Sequence, residues 1–160
     1  MKAKILILIL LFGYTAAKSQ VNYETLKPFV RSFERGFSIS NEWITDTCSS
    51  RIFMLKVSVK EGNIEGFAFS DSAPAVFKYE LKRIEKRLDI HPLLKMFKEK
   101  NYSSMDFVFP VFFITPDFPC KQGQAPKWIG DGYTEFNGRQ LEGSIYLADP
   151  ITIWIPIVHK

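Results

Sequence analysis

Between residues 51 and 70 the chain alternates apolar and polar positions twice, with a turn between the two runs, and that pattern commits it to a β-hairpin. Phe53, Leu55, Val57 and Val59 share one side of an extended segment at period two. Glu61-Gly-Asn63 supplies turn chemistry. Residues 64–70 resume the alternation, with Glu65, Phe67 and Phe69 set against Ile64, Gly66 and Ala68. A hairpin alone is not stable in water, so the rest of the chain must provide further strands and a layer to cover them.

Helical periodicity flanks this hairpin. Residues 23–37 carry Leu26, Phe29, Val30 and Phe33 at helix spacing, with Pro28 near the start and Gly36 as a stop. After the hairpin, Asp71-Ser-Ala-Pro74 is a helix N-terminus in which polar side chains accept free amides and proline takes a first-turn position. The helix predicted from 75 to 88 presents Phe77, Leu81, Ile84 and Leu88 as one apolar stripe. His91-Pro92 breaks it, and residues 93–100 form a second short helix, capped by Asp89 or His91.

Residues 105–114 are a dense apolar run, read as a largely buried strand in which Pro110 sits where no ladder donor is needed. A Pro-, Gly- and Lys-rich loop follows. Asn137-Gly138 is the strongest local hairpin signal, expected to join 133–136 to 139–147, and 151–158 reads as a closing strand. The expected fold is therefore α+β: an antiparallel sheet built from hairpins, with two or three helices packed on one face. Fifteen phenylalanines, six tyrosines and three tryptophans in 160 residues supply a core and exclude a disordered chain.

The first nineteen residues read as a secretory signal peptide. Lys2 and Lys4 lead, an apolar run from Ile5 to Phe12 follows, and Ala17 and Ser19 offer small residues for cleavage before Gln20. That run is well short of the roughly 20 residues needed to span a bilayer, and no second such run exists, so no transmembrane segment is expected in the mature chain. Residues 20–160 then form a single domain, exported to the periplasm or secreted. Loss of Lys2, Lys4 and Lys18 lowers the formal charge from +4 to +1, which removes the bulk-charge argument for nucleic acid. Cys48 and Cys120 are expected to form a disulfide in that oxidising setting, closing a loop worth roughly 4 kcal/mol in the chain-entropy account.

No nucleophile-elbow, phosphate-loop, dinucleotide or zinc-protease motif is present, and the spacing of cysteines and histidines fits no metal site, so no cofactor is expected. The best binding candidate is the segment from Trp128 through Asp131 and Tyr133 to Glu135, where aromatic planes beside carboxylates suit a sugar or peptide. The same carboxylates could instead serve a small envelope hydrolase. Lys78, Lys82, Arg83 and Lys86 form a basic helix face, either the wet side of that helix or a surface for an acidic partner. The leading reading is an exported binding or interaction module whose partner is an envelope protein, peptide or glycan.

Three stretches carry a family resemblance: Phe53-Met-Leu-Lys-Val-Ser-Val-Lys-Glu-Gly-Asn-Ile-Glu65, then Ser70-Asp-Ser72, then Phe109-Pro-Val111. With the ending Ile153-Trp-Ile-Pro-Ile-Val158, they resemble the C-terminal domain of TonB-type energy transducers. Such domains bind a peptide by adding it to a sheet edge. Those transducers carry a retained anchor and a long Pro-rich linker that this sequence does not show, so the resemblance implies a free-standing envelope domain and not energy transduction. The signal followed by Gln20 also resembles small exported proteins of Gram-negative bacteria.

Overall fold

Ten residues from Arg51 to Lys60 form the central strand around which everything else is arranged. The computed structural model describes residues 22–39, 51–114 and 132–154. The expected signal peptide, Cys48, Cys120, Trp128, Asp131, the Pro-rich loop and the end of the closing strand lie outside the described residues. In chain order the elements are α1 (Asn22–Gly36), β1 (Arg51–Lys60), β2 (Asn63–Phe69), α2 (Ala75–Ile84), α3 (His91–Lys100) and β3 (Ser104–Ile114). Four short strands follow: β4 (Glu135–Phe136), β5 (Arg139–Gln140), β6 (Ile145–Leu147) and β7 (Ile151–Trp154).

The sheet runs β2-β1-β3, all antiparallel, and then continues with β6 and β7 end to end along the outer side of β3. This is an α+β fold. The β1–β2 turn places Glu61 and Gly62 at φ 51° and 78°, the paired left-handed conformation that matches strand twist. A bulge between Ser58 and Val59 leaves Glu65 without a partner across the ladder.

One departure from the expected sheet is the direction of its last strands. Both β6 and β7 run parallel to β3, with Phe107 beside Tyr146 and Phe113 beside Ile153. The segment expected to continue the second hairpin to residue 147 stops pairing after Gln140. Gly143, at φ 87°, lies in the turn that follows, and the chain then rejoins the main sheet. Pro110 explains why β6 and β7 are two strands and not one. Met54, its cross-strand partner, turns its backbone to the other side, where its carbonyl accepts the Ser70 amide and its own amide donates to the Ser70 hydroxyl. Pro110 therefore faces the outer neighbour, and without an N–H it lies at the interruption between Leu147 and Ile151.

The α-helices among the described residues, α1, α2 and α3, all pack on one face. From the sheet, Phe53, Leu55, Val57, Phe107, Phe109 and Val111 point into this core; from the helices, Phe29, Phe33, Phe77, Leu81, Leu93 and Met96 meet them. Phenylalanine contacts recur within it: Phe29 lies on Phe109 at 5.0 Å between ring centres, and a separate network joins Phe33, Phe37, Phe53, Phe69 and Phe77, ending with Phe77 edge-on to Phe113 at 4.7 Å.

The helix predicted to reach residue 88 ends at Ile84 and tightens into a 3-10 turn, Glu85–Arg87, which still delivers Leu88 to the core. His91-Pro92 opens α3 instead of preceding it. Proline is compatible with that first turn, and Asp89 Oδ1 accepts the His91 amide at 3.3 Å.

Candidate functional site

On the face of the sheet opposite the helices a second, smaller apolar cluster forms from Met54, Val108 and Phe136, with Ala68, Tyr133 and Leu141 against it. Residues 132–142, which hold two of the expected binding residues, cross this face as a strap. Its tip is the Asn137-Gly138 turn, at φ 55° and 71°, between β4 and β5.

Asp71 fastens the strap. The sequence places its side chain at the N-terminus of α2, yet Pro74 begins that helix without a side-chain cap. The Asp71 carboxylate instead accepts the Gly138 amide at 2.6 Å and the Asn137 amide at 3.0 Å, and Lys78 Nζ stands 3.7 Å away. The Gly138 amide, followed by that of Asn137 and the Lys78 charge, holds the Asp71 carboxyl below its ordinary value against a smaller opposing effect of desolvation. The main chain adds two bonds, Asp71 N to Glu135 O at 2.8 Å and Ser72 N to Gly132 O at 3.4 Å. Gly132 is required there: it has φ 74°, and a Cβ on it would stand 3.0 Å from that of Asp71.

The sequence-derived candidates fare differently within this strap. Tyr133 is half-buried against the second cluster, and burial pushes its hydroxyl pKa up. Glu135 Oε1 accepts Gln140 Nε2 at 3.1 Å, and Gln140 Oε1 accepts Thr134 Oγ1 at the same distance. Glu135 is thus a cross-strand partner within the strap. The structure brings Tyr133 and Glu135 to one hairpin, while Trp128 and Asp131 lie outside the described residues.

The basic helix face is partly consumed by internal contacts. Arg83 bonds Glu80 through both Nε and Nη2 and also donates to Gly36 O at 2.8 Å. Glu80, almost fully buried, accepts the Ser38 amide at 2.8 Å, so this cluster ties the end of α1 to α2. The Arg83 hydrogen bond, then the Ser38 amide, lower the Glu80 pKa although burial opposes them. With Lys78 held near Asp71, Lys82 and Lys86 are the members of the four that face solvent with no side-chain hydrogen bond or ion pair to another described residue, Lys82 on α2 and Lys86 within the 3-10 turn.

Sequence reasoning missed a different feature, the outer edge made by β6 and β7. Asp106 N donates to Ser144 O at 2.9 Å and Ala148 N to Val108 O at 2.8 Å. By the alternation of a strand, the amides and carbonyls of Ile145 and Leu147 then point away from β3, and no described strand pairs on that side. The side chains along the same edge are exposed: Ile145 by 44 %, Leu147 by 65 % and Trp154 by 62 %. At its start lies a depression of about 180 Å3 lined by Tyr102, Met105, Ile145 and Tyr146. Apolar residues on a strand look alike in sequence whether they face the core or water, so no signal in the chain marks this edge.

Among the described residues no three His, Cys, Asp or Glu side chains come together as a metal site, and no described helix is long and apolar enough to cross a membrane. Comparison with known protein families, with curated proteins and with solved structures finds no match.

Proposed function

We propose that this chain is an exported binding module that takes an extended segment of an envelope protein or peptide along the β6–β7 edge. The carrying observation is the coincidence of outward main-chain groups at Ile145 and Leu147 with exposed apolar side chains at Ile145, Leu147 and Trp154. An unpaired edge lined this way is normally blunted by charge or covered. A strand added there satisfies the main chain and covers the side chains at once. The TonB-type resemblance supports the same mode of use.

Export rests on the leader at residues 1–19. The disulfide follows from it, and the sheet register supports the pairing: Arg51 lies beside Phe113, so the chain leading from Cys48 into β1 and the chain leaving β3 toward Cys120 start from neighbouring points. Protein recovered from its native host should begin at Gln20 and show no free thiol. A retained Met1, or two titratable thiols, overturns the exported reading.

The edge is tested by placing a photo-crosslinking side chain at Leu147 or Trp154 in the native host. Adducts are expected from both positions and not from Tyr79, which is 77 % exposed on α2. Adducts from Tyr79 alone would sink the proposal.

A further inference from the structure

A separate cleft of about 530 Å3 runs along the outer side of α1, lined by Glu24, Lys27, Pro28, Arg31, Ser32 and Arg35, with Asp89 from the connection before α3 completing the lining. Its volume falls in the range of small-ligand sites. The cleft has a fixed floor: Ser32 Oγ donates to Phe29 O at 2.7 Å and accepts the Asp89 amide at 2.9 Å, which pins the connection before α3 against α1.

The walls carry complementary chemistry. Arg31 and Arg35 are one helical turn apart, so their guanidinium forks arise about 6 Å from each other on one row. Neither has an ion-pair or hydrogen-bond partner among the described residues. A phosphate or carboxylate is the group such a pair receives, by bidentate charge-assisted bonds. The same lining holds acceptors. Pro28 has no N–H, so the Glu24 carbonyl loses the amide that would close its helical turn. The Asp89 carboxylate takes one backbone amide, from His91, and keeps further acceptor capacity. A ligand that fits carries one anionic group and several hydroxyl donors.

We propose that this cleft binds an anionic sugar, its phosphate or carboxylate held by Arg31 and Arg35 and its hydroxyls donated to Asp89 and the Glu24 carbonyl. This site is independent of the β6–β7 edge and stands whether or not the edge binds a peptide.

The test is an amide chemical-shift titration of the mature chain with four probes: a hexose 6-phosphate, a hexuronate, the uncharged hexose and inorganic phosphate. Saturable shifts confined to residues 24–35 and 88–91 are expected from one or both anionic sugars, and the arm that responds identifies the anionic group. The uncharged hexose should leave the spectrum unchanged. Arg31→Gln with Arg35→Gln should weaken binding by about tenfold or more. Lys82→Gln with Lys86→Gln, an equal loss of charge elsewhere, should leave it unaltered. Both pairs are exposed, so folding is retained. The proposal falls if neither anionic sugar saturates, if both double variants weaken binding equally, or if inorganic phosphate binds as tightly as the hexose 6-phosphate, which would mean an adventitious ion only.

Discussion

The helix-covered face of the sheet and the strap-covered face are built from the same three long strands, yet they are closed by unlike means. On the first, phenylalanines from α1, α2 and every long strand interlock, and Phe29, Phe53, Phe107 and Phe109 lose all contact with water. On the second, Met54 and Val108 sit beneath an eleven-residue strap, residues 132–142, which buries Phe136 on them and is otherwise fastened by polar contacts: two amides on Asp71, two main-chain bonds, and Lys56 lying 4.8 Å over the Phe136 ring. Apolar area buried scales the stabilisation, so the first face carries the fold, whereas the second contributes a local, separable unit.

The largest expected effect tests that division directly. Phe53→Ala or Phe109→Ala should cost about 3–5 kcal/mol in denaturant unfolding, because a ring is lost from a site where neighbours on both layers are fixed. A cost near that of a surface change would end the distinction. Glu80→Ala should come next, on the order of 2 kcal/mol, since it strips Arg83 and the Ser38 amide of their acceptor on the helical side. Phe136→Ala should cost about 2 kcal/mol or less. Its signature is local: hydrogen exchange rises in residues 132–142 while β1 and β3 keep their protection. Exchange rising uniformly would show that the strap and the sheet unfold as one.

Much of the helical face was legible in the chain. The alternation of Phe53, Leu55, Val57 and Val59 needs only period two, and Phe77, Leu81, Ile84 and Leu88 hold their stripe whether the last turn is α or 3-10. That insensitivity is why the stripe carries no mark of where the α-helix ends. The second face was illegible because its determinants are long-range. Asp71 and its amide partners are 66 and 67 residues apart, and an aspartate just before a proline-led helix reads locally as a cap. The direction of β6 and β7 was equally hidden: pattern reports that a segment is a strand, while its direction depends on the path the chain takes over the second face. The Asn137-Gly138 turn is legible in the chain because its left-handed φ values are a local demand.

Acid should act on the two fastenings through the same sign. Asp71 and Glu80 both hold their protons less tightly in the folded chain than their ordinary values of 3.8 and 4.5. Their contribution is therefore complete above those values and is lost as pH falls through the depressed folded ones. The amide resonances of Asn137 and Gly138 should titrate with a midpoint below 3.8, and Asp71→Asn should abolish that titration. A midpoint above 3.8 would mean that the carboxylate is not held by those amides.

The smallest stability effect belongs to the residues on which the binding proposal depends. Leu147 lies on the strap side of the sheet beyond the second cluster, 65 % exposed, and it contributes little buried area to either face. Leu147→Lys should change unfolding free energy by no more than about 0.5 kcal/mol, as surface substitutions do. It also adds the charge that sheet edges use to repel an incoming strand. The variant therefore separates folding from recognition. Unchanged unfolding with loss of crosslinks from Trp154 places the partner on this edge, whereas a cost of several kcal/mol means that Leu147 is held by the fold itself and the edge is not free.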